Sequence, residues 1–103
     1  MSGRRSETLV LTLPADPDLW RLTGLVSTHF LRQSGIGAAA ARRVGRSVAL
    51  RCRALARAAR RPQARASTMI LQLGTHASFL EVLGRTGRGP RICLARIERP
   101  KPA

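Results

Sequence analysis

The sequence has no tyrosine, and its only aromatic side chains are Trp20, Phe30 and Phe79. Stacking of successive bases needs several rings, so an aromatic platform for single-stranded nucleic acid is excluded. Acidic residues are nearly as scarce. There are five in 103 residues, and none between Leu19 and Leu80. On this count neither His29 nor His76 has a nearby carboxylate with which to form a catalytic pair, and no Ser–His or Cys–His arrangement can be read. His29 reads as a packing or boundary residue and His76 as an exposed turn residue. Cysteine is limited to Cys52 and Cys93. With the two histidines they make no C-x-x-C or H-x-x-H spacing, so no metal site is expected. The two thiols read as buried small hydrophobes in a reducing cytoplasm, with no spacing that supports a disulfide. No apolar run approaches the roughly 18 residues that cross a bilayer. The start, Met-Ser-Gly-Arg-Arg-Ser-Glu, lacks an apolar segment with a cleavage site, so no signal peptide is expected and the expected location is cytoplasmic.

Against these shortages stand nineteen cations and a net charge of +14. All but Lys101 are arginine. The apolar fraction of 44% supports a core, so the chain is not a disordered basic tail. The length allows one small domain. Residues 1–6 are expected to be a disordered basic N-terminus, 7–97 the domain, and 98–103 a frayed tail around Pro100 and Pro102.

Residues 7–13 alternate aliphatic and polar side chains and read as a strand ended by Pro14. Asp16 before Pro17 is a helix start, an N-cap acceptor followed by a first-turn proline. That helix is expected over 17–33, with Leu19, Leu22, Val26 and Phe30 as its buried stripe and Gly35 and Gly37 at its end. A second helix is expected over 38–60, closed by Arg61-Pro62. Val44, Val48, Cys52, Leu55 and Ala59 fall on one arc of it. Arg42, Arg46, Arg53 and Arg60 fall nearly opposite, with Arg57 beside them. Arg51 projects from the apolar arc and is expected to snorkel. Gly45 is the one weak helix former in its interior. Residues 67–73 and 78–83 read as a hairpin turning at Gly74–Ala77. In its second strand Leu80 and Val82 are expected inward and Glu81 outward. Residues 84–90 read as a Gly/Arg loop, and 91–97 as a strand or a short helix. The expected fold is α+β, a two-layer sandwich in the order β-α-α-β-β-β, with two long helices over an antiparallel or mixed sheet.

The element order, the phrase Pro-Ala-Asp-Pro-Asp-Leu-Trp-Arg-Leu and the Gly-Ile-Gly that follows resemble the small histidine-kinase-like (GHKL) ATPase domain of bacterial anti-sigma factor serine kinases. The resemblance covers about residues 7–92. It implies a long helix with a general-base Glu, a magnesium-holding Asn four residues on and a His or similar residue four beyond, then an Asp-x-Gly-x-Gly that reads adenine. Aligned on Ser-Val-Ala-Leu-Arg-Cys-Arg-Ala-Leu-Ala, the helix positions are Leu50, Ala54 and Ala58. The loop is Arg85-Thr86-Gly87-Arg88-Gly89, with Arg85 in place of the aspartate. Base and metal amide are both missing, so neither kinase nor ATPase activity is expected, and ATP with magnesium enters by resemblance only.

The sequence supports three readings. The first is a non-catalytic regulatory protein that binds a sigma factor or an anti-anti-sigma-like domain. The second is a basic nucleic-acid-binding protein that sets the ridge of Arg42, Arg46, Arg53, Arg57 and Arg60 on phosphates; an acidic protein would fit the same ridge. The third is an ATP-binding serine kinase of the anti-sigma type, with Arg85, Gly87, Arg88 and Gly89 as a weak phosphate nest.

Overall fold

The computed structural model describes residues 7–14, 16–59, 68–87 and 89–99. The alternating N-terminal segment forms strand β1 (Glu7–Pro14). Asp16 then opens a short 3-10 turn over Pro17–Leu19, its Oδ1 accepting the Asp18 N–H at 2.9 Å. Helix α1 (Trp20–Gln33) therefore starts three residues later than the Asp-Pro signal predicts. It stops at a Schellman turn. Gly35 takes φ +96°, its N–H donates to Arg32 O, and the Ile36 N–H donates to Leu31 O at 3.0 Å. Leu31 and Ile36 pack together beneath that turn, the apolar contact such an ending needs. Helix α2 (Ala38–Ala59) follows, and the expected closing pair Arg61-Pro62 lies outside the described residues.

Strands β2 (Thr68–Thr75), β3 (Phe79–Thr86) and β4 (Ile92–Glu98) complete a four-stranded antiparallel sheet in the order β1-β2-β3-β4. Two helices pack on one face of it, the expected α+β layout. The ambiguous segment 91–97 is a strand. Glu98 belongs to β4, one residue past the expected strand end, and the Arg99 N–H donates to Ser78 O.

Both strand glycines that read as turn or loop signals lie inside strands. Gly74 pairs with Glu81, and the His76 ring sits 3.2 Å from where a Cβ would stand. Gly84 pairs with Ile92, and the Leu94 side chain occupies its missing Cβ position at 2.8 Å. The hairpin turn is accordingly tighter than expected, with the His76 N–H donating to Phe79 O. Leu94 is the extra residue of an irregularity in which Val82 pairs with Ala95 and Leu83 with Cys93.

The core is divided unevenly between the layers. The sheet supplies bulk through Met69, Leu71, Leu73, Leu80, Val82 and Leu94, all 2% exposed or less. As expected, Leu80 and Val82 point inward and Glu81 does not. Helix α2 supplies mainly small groups, Ala41, Ala49, Cys52 and Ala56, with Val48. Each buried leucine contributes roughly 1.5–3 kcal/mol, so the strands carry most of the apolar stabilisation and the helices can lie close.

Helix α1 departs from its expected stripe. Its buried residues are Thr23, Gly24, Ser27 and Leu31. Val26 and Phe30 are half-buried, and Leu22 is 41% exposed. The cause is the contact with α2. A Cβ on Gly24 would stand 2.9 Å from Ala49 Cβ and 3.0 Å from Gly45 O. One on Gly45 would overlap the Thr28 hydroxyl and stand 2.8 Å from Gly24 O. The two backbones meet at paired glycines, and the small side of α1 turns inward to allow it.

Ser27 Oγ is buried and has no hydrogen-bond partner among the described residues. Removing it relieves a desolvation penalty of about 1 kcal/mol or more and adds helix propensity. Ser27→Ala is therefore expected to raise the melting temperature by several degrees, about 4–8 °C per kcal/mol. A fall on thermal denaturation would show that the hydroxyl has a partner in solution.

Candidate functional site

The cationic ridge is built by the periodicity of α2. Ala41, Gly45, Val48, Ala49, Cys52 and Ala56 turn inward, which leaves Arg42, Arg46 and Arg57 in solvent on the other side. No carboxylate neutralises them: the ion pair found among the described residues is His76–Glu81, at 2.8 Å. Arg53, expected on the ridge, is half-buried, and its guanidinium lies 5.5 Å above the Trp20 ring. Arg21 stacks on the same ring at 5.5 Å. Arg53 thus ties α2 to the start of α1, a contact of roughly 0.5–1 kcal/mol. Arg60 lies outside the described residues. Arg51, expected to snorkel, reaches the sheet, and its Nη1 donates to Leu94 O at 3.2 Å, on the residue that has no partner in the strand register.

The expected phosphate nest comes apart in the structure. Arg85 belongs to β3 and lines a shallow cavity of about 230 Å³ with Ile70, Gln72, Leu83 and Arg91. The Gly87 N–H donates to Thr68 O at 2.8 Å and the Gly89 N–H to Thr86 O at 2.9 Å. Both amides that a nest would aim at an anion are used within the fold. Arg88 lies outside the described residues. Leu50, Ala54 and Ala58 share an exposed line of α2, with no side-chain donor or acceptor among them. Among the described residues no group of three or more His, Cys, Asp or Glu could hold a metal ion.

The histidines differ from their sequence reading. His29 is exposed, in the wall of a groove between α1 and β1. His76 is half-buried and has a carboxylate partner after all: Nε2 lies 2.8 Å from Glu81 Oε1, and the ring stacks on Phe79 at 4.3 Å. Arg96 lies 4.0 Å over that same Phe79 ring, and Arg99 Nη1 donates to His76 O. Spacing alone hid this cluster, because the hairpin register folds Glu81 back to Gly74, two residues before His76. Its groups are used on one another, so it locks the hairpin tip.

The thiols part company. Cys52 is fully buried, and burial pushes its thiol above the ordinary value of 9.0, with Thr23 hydrogen bonding as a smaller opposing cause. Cys93, expected buried, is exposed, because its register position opposite Leu83 puts it on the face the helices do not cover. The Cys52 shift fixes a pH dependence. Below the unfolded-state value both states hold the proton and stability is full. As pH rises from about 9 towards the raised folded value, the unfolded thiol loses its proton first. Stability then falls by about 1.4 kcal/mol per pH unit. Urea titrations at pH 8, 9 and 10 are expected to show this fall in the natural protein and a smaller one in Cys52→Ala.

The groove beside His29 is apolar and open, about 720 Å³, lined by Thr8, Leu9, Leu25, Val26, His29, Phe30 and Gln33. Leu9 is 49% exposed and Leu25 69%. The adjoining edge of β1 bears no charge from Thr8 to Leu13, whereas β4, the opposite edge, carries Arg96 and Glu98.

Fold and surface together define a class: a two-layer α+β domain with an arginine-bearing helical layer and an open apolar groove. No family model, no curated protein and no solved structure matches this chain.

Proposed function

We propose that this chain is a non-catalytic binding protein that sets the α2 ridge on a polyanion, with the phosphates of a nucleic-acid backbone as the fitting chemistry. One observation carries this reading: Arg42, Arg46 and Arg57 are exposed along one helix and have no carboxylate partner among the described residues. Phosphates would supply the missing counter-charge and release condensed ions from the nucleic acid. The contact is expected to be backbone-led and independent of sequence. Titration of a labelled duplex at several salt concentrations tests it. Three ridge contacts give a slope of log K against log salt of about −3. Absence of binding at low salt would end this reading.

A second reading, a regulatory protein that binds a sigma factor or an anti-anti-sigma-like domain as the family resemblance implies, is favoured by the apolar groove and the uncharged β1 edge. Uncharged edges accept an added strand, and exposed leucines accept apolar side chains. Co-purification from the native cell, with mass-spectrometric identification of such a partner, tests it. Leu25→Glu is expected to abolish the capture without loss of fold, because Leu25 is mostly in solvent.

The ATP-binding reading has less to rest on, since the Gly87 and Gly89 amides are engaged elsewhere. Mg-ATP is expected to leave the melting temperature unchanged. Binding at a hundredfold over its dissociation constant would add about 2.7 kcal/mol, an effect easily seen.

A further inference from the structure

We infer that the cleft between α2 and β4 is an anion site separate from the ridge, one that takes a compact phosphate-type oxyanion such as a pyrophosphate group. The cleft has a volume of about 330 Å³. Its helical wall carries Arg43, Ser47 and Arg51, and its strand wall runs from Cys93 to Ile97.

The spacing makes the wall. Residues 43, 47 and 51 are four apart and lie along one line of α2 that faces β4. The two arginines stand about 12 Å apart along the axis, within the combined reach of two long side chains, with the Ser47 hydroxyl between them. Arg51 is held in place because Nη1 donates to Leu94 O, which leaves four of its five N–H donors for a ligand. Among the described residues no carboxylate lines the cleft. The nearest acidic groups by register, Glu81 and Glu98, lie on the uncovered face of the sheet, and Glu81 is held by His76. Arg96 contributes wall rather than charge, because its guanidinium lies over Phe79. The result is two forked cations and a hydroxyl around a small space, a fit for a compact multiply charged oxyanion. The apolar remainder of the lining, Val44, Leu94, Ala95 and Ile97, offers no ring for a base to stack on.

Protection against thermal unfolding provides the readout. Inorganic pyrophosphate at about a hundred times its dissociation constant is expected to raise the folded-to-unfolded ratio about a hundredfold and the melting temperature with it. Sodium chloride of equal ionic strength is expected to give no such protection. Arg43→Gln, at an exposed position, is expected to keep the melting temperature of the ligand-free protein and lose the protection. Arg51→Lys keeps the charge but loses the fork, and is expected to weaken the protection. A ridge variant (Arg42→Gln, Arg46→Gln, Arg57→Gln) is expected to retain it, which separates this site from nucleic-acid binding. ADP in place of pyrophosphate distinguishes the sources: equal protection assigns the site to a nucleotide's diphosphate, and protection by pyrophosphate alone assigns it to the free ion. Protection that sodium chloride reproduces, or that survives in Arg43→Gln, overturns the inference.

Discussion

Gly45→Ala is expected to destabilise the domain by about 2 kcal/mol, although helix propensity alone predicts a gain of about 1 kcal/mol. The methyl group would overlap the Thr28 hydroxyl and stand 2.8 Å from Gly24 O. Overpacking of this kind costs roughly 1–3 kcal/mol even where neighbours can give way. Here one neighbour is backbone. The other, Thr28, is fixed by donating its hydroxyl to Gly24 O at 2.8 Å. The helices must separate, which also disturbs Ala49 against Gly24. In a domain whose total stability is about 5–15 kcal/mol, the melting temperature should fall by roughly 8–16 °C. Gly45→Val, with its branched Cβ, should fall further and can fail to fold. A double variant, Gly45→Ala with Thr28→Ala, is expected to recover only part of the loss, because the Gly24 carbonyl remains in the way. A stabilised Gly45→Ala protein would show that the helices do not meet at the glycine pair.

The meeting of Gly24 and Gly45 lies beyond what residue order alone could disclose. Element order and type, except over the ambiguous 91–97, were legible because each rests on local chemistry: alternation in residues 7–13, Asp16 before Pro17, and the arc of Val44, Val48 and Cys52. The same holds for Glu81, which faces away from Leu80 and Val82 by strand periodicity alone. The face of α1 was not legible. Its leucines outnumber its buried threonine and serine, and hydropathy assigns them inward. What decides the face is a glycine on another helix, and no periodicity of α1 contains that information. Gly74 and Gly84 misled for a related reason. Glycine marks a turn when its dihedrals are needed, but it also marks a place where another side chain fills the space, and His76 and Leu94 do so here. In the candidate site, the exposure of Arg42, Arg46 and Arg57 followed from helical period. The withdrawal of Arg53 onto Trp20 did not, because the partner ring stands 33 positions earlier in the chain.

The ridge therefore reduces to three solvent-facing arginines, and their joint removal has the largest expected effect on binding. Arg42→Gln, Arg46→Gln and Arg57→Gln together should weaken duplex binding about a hundredfold at roughly 0.1 M salt, taking each phosphate contact as about 1 kcal/mol. The salt slope should flatten by about 0.9 for each phosphate that no longer meets an arginine. Stability should hold or rise, since the three side chains bury nothing and repel one another. Lysine at the same three positions should preserve most of the affinity, because a phosphate accepts a point charge where a carboxylate fork would not. A second triple, Arg32→Gln, Arg91→Gln and Arg99→Gln, removes the same three charges from the total of +14 at exposed positions off the ridge. If the two triples lose affinity equally and flatten the slope equally, binding follows net charge and the ridge has no special standing. If the ridge triple alone does so, position matters and α2 lies on the phosphates. Arg53→Gln separates the remaining case: it should cost roughly 0.5–1 kcal/mol of stability by giving up the Trp20 ring and leave the slope unchanged. A slope that flattens in Arg53→Gln would mean that the side chain leaves the ring to reach phosphate, and that the ridge is completed only when nucleic acid is bound.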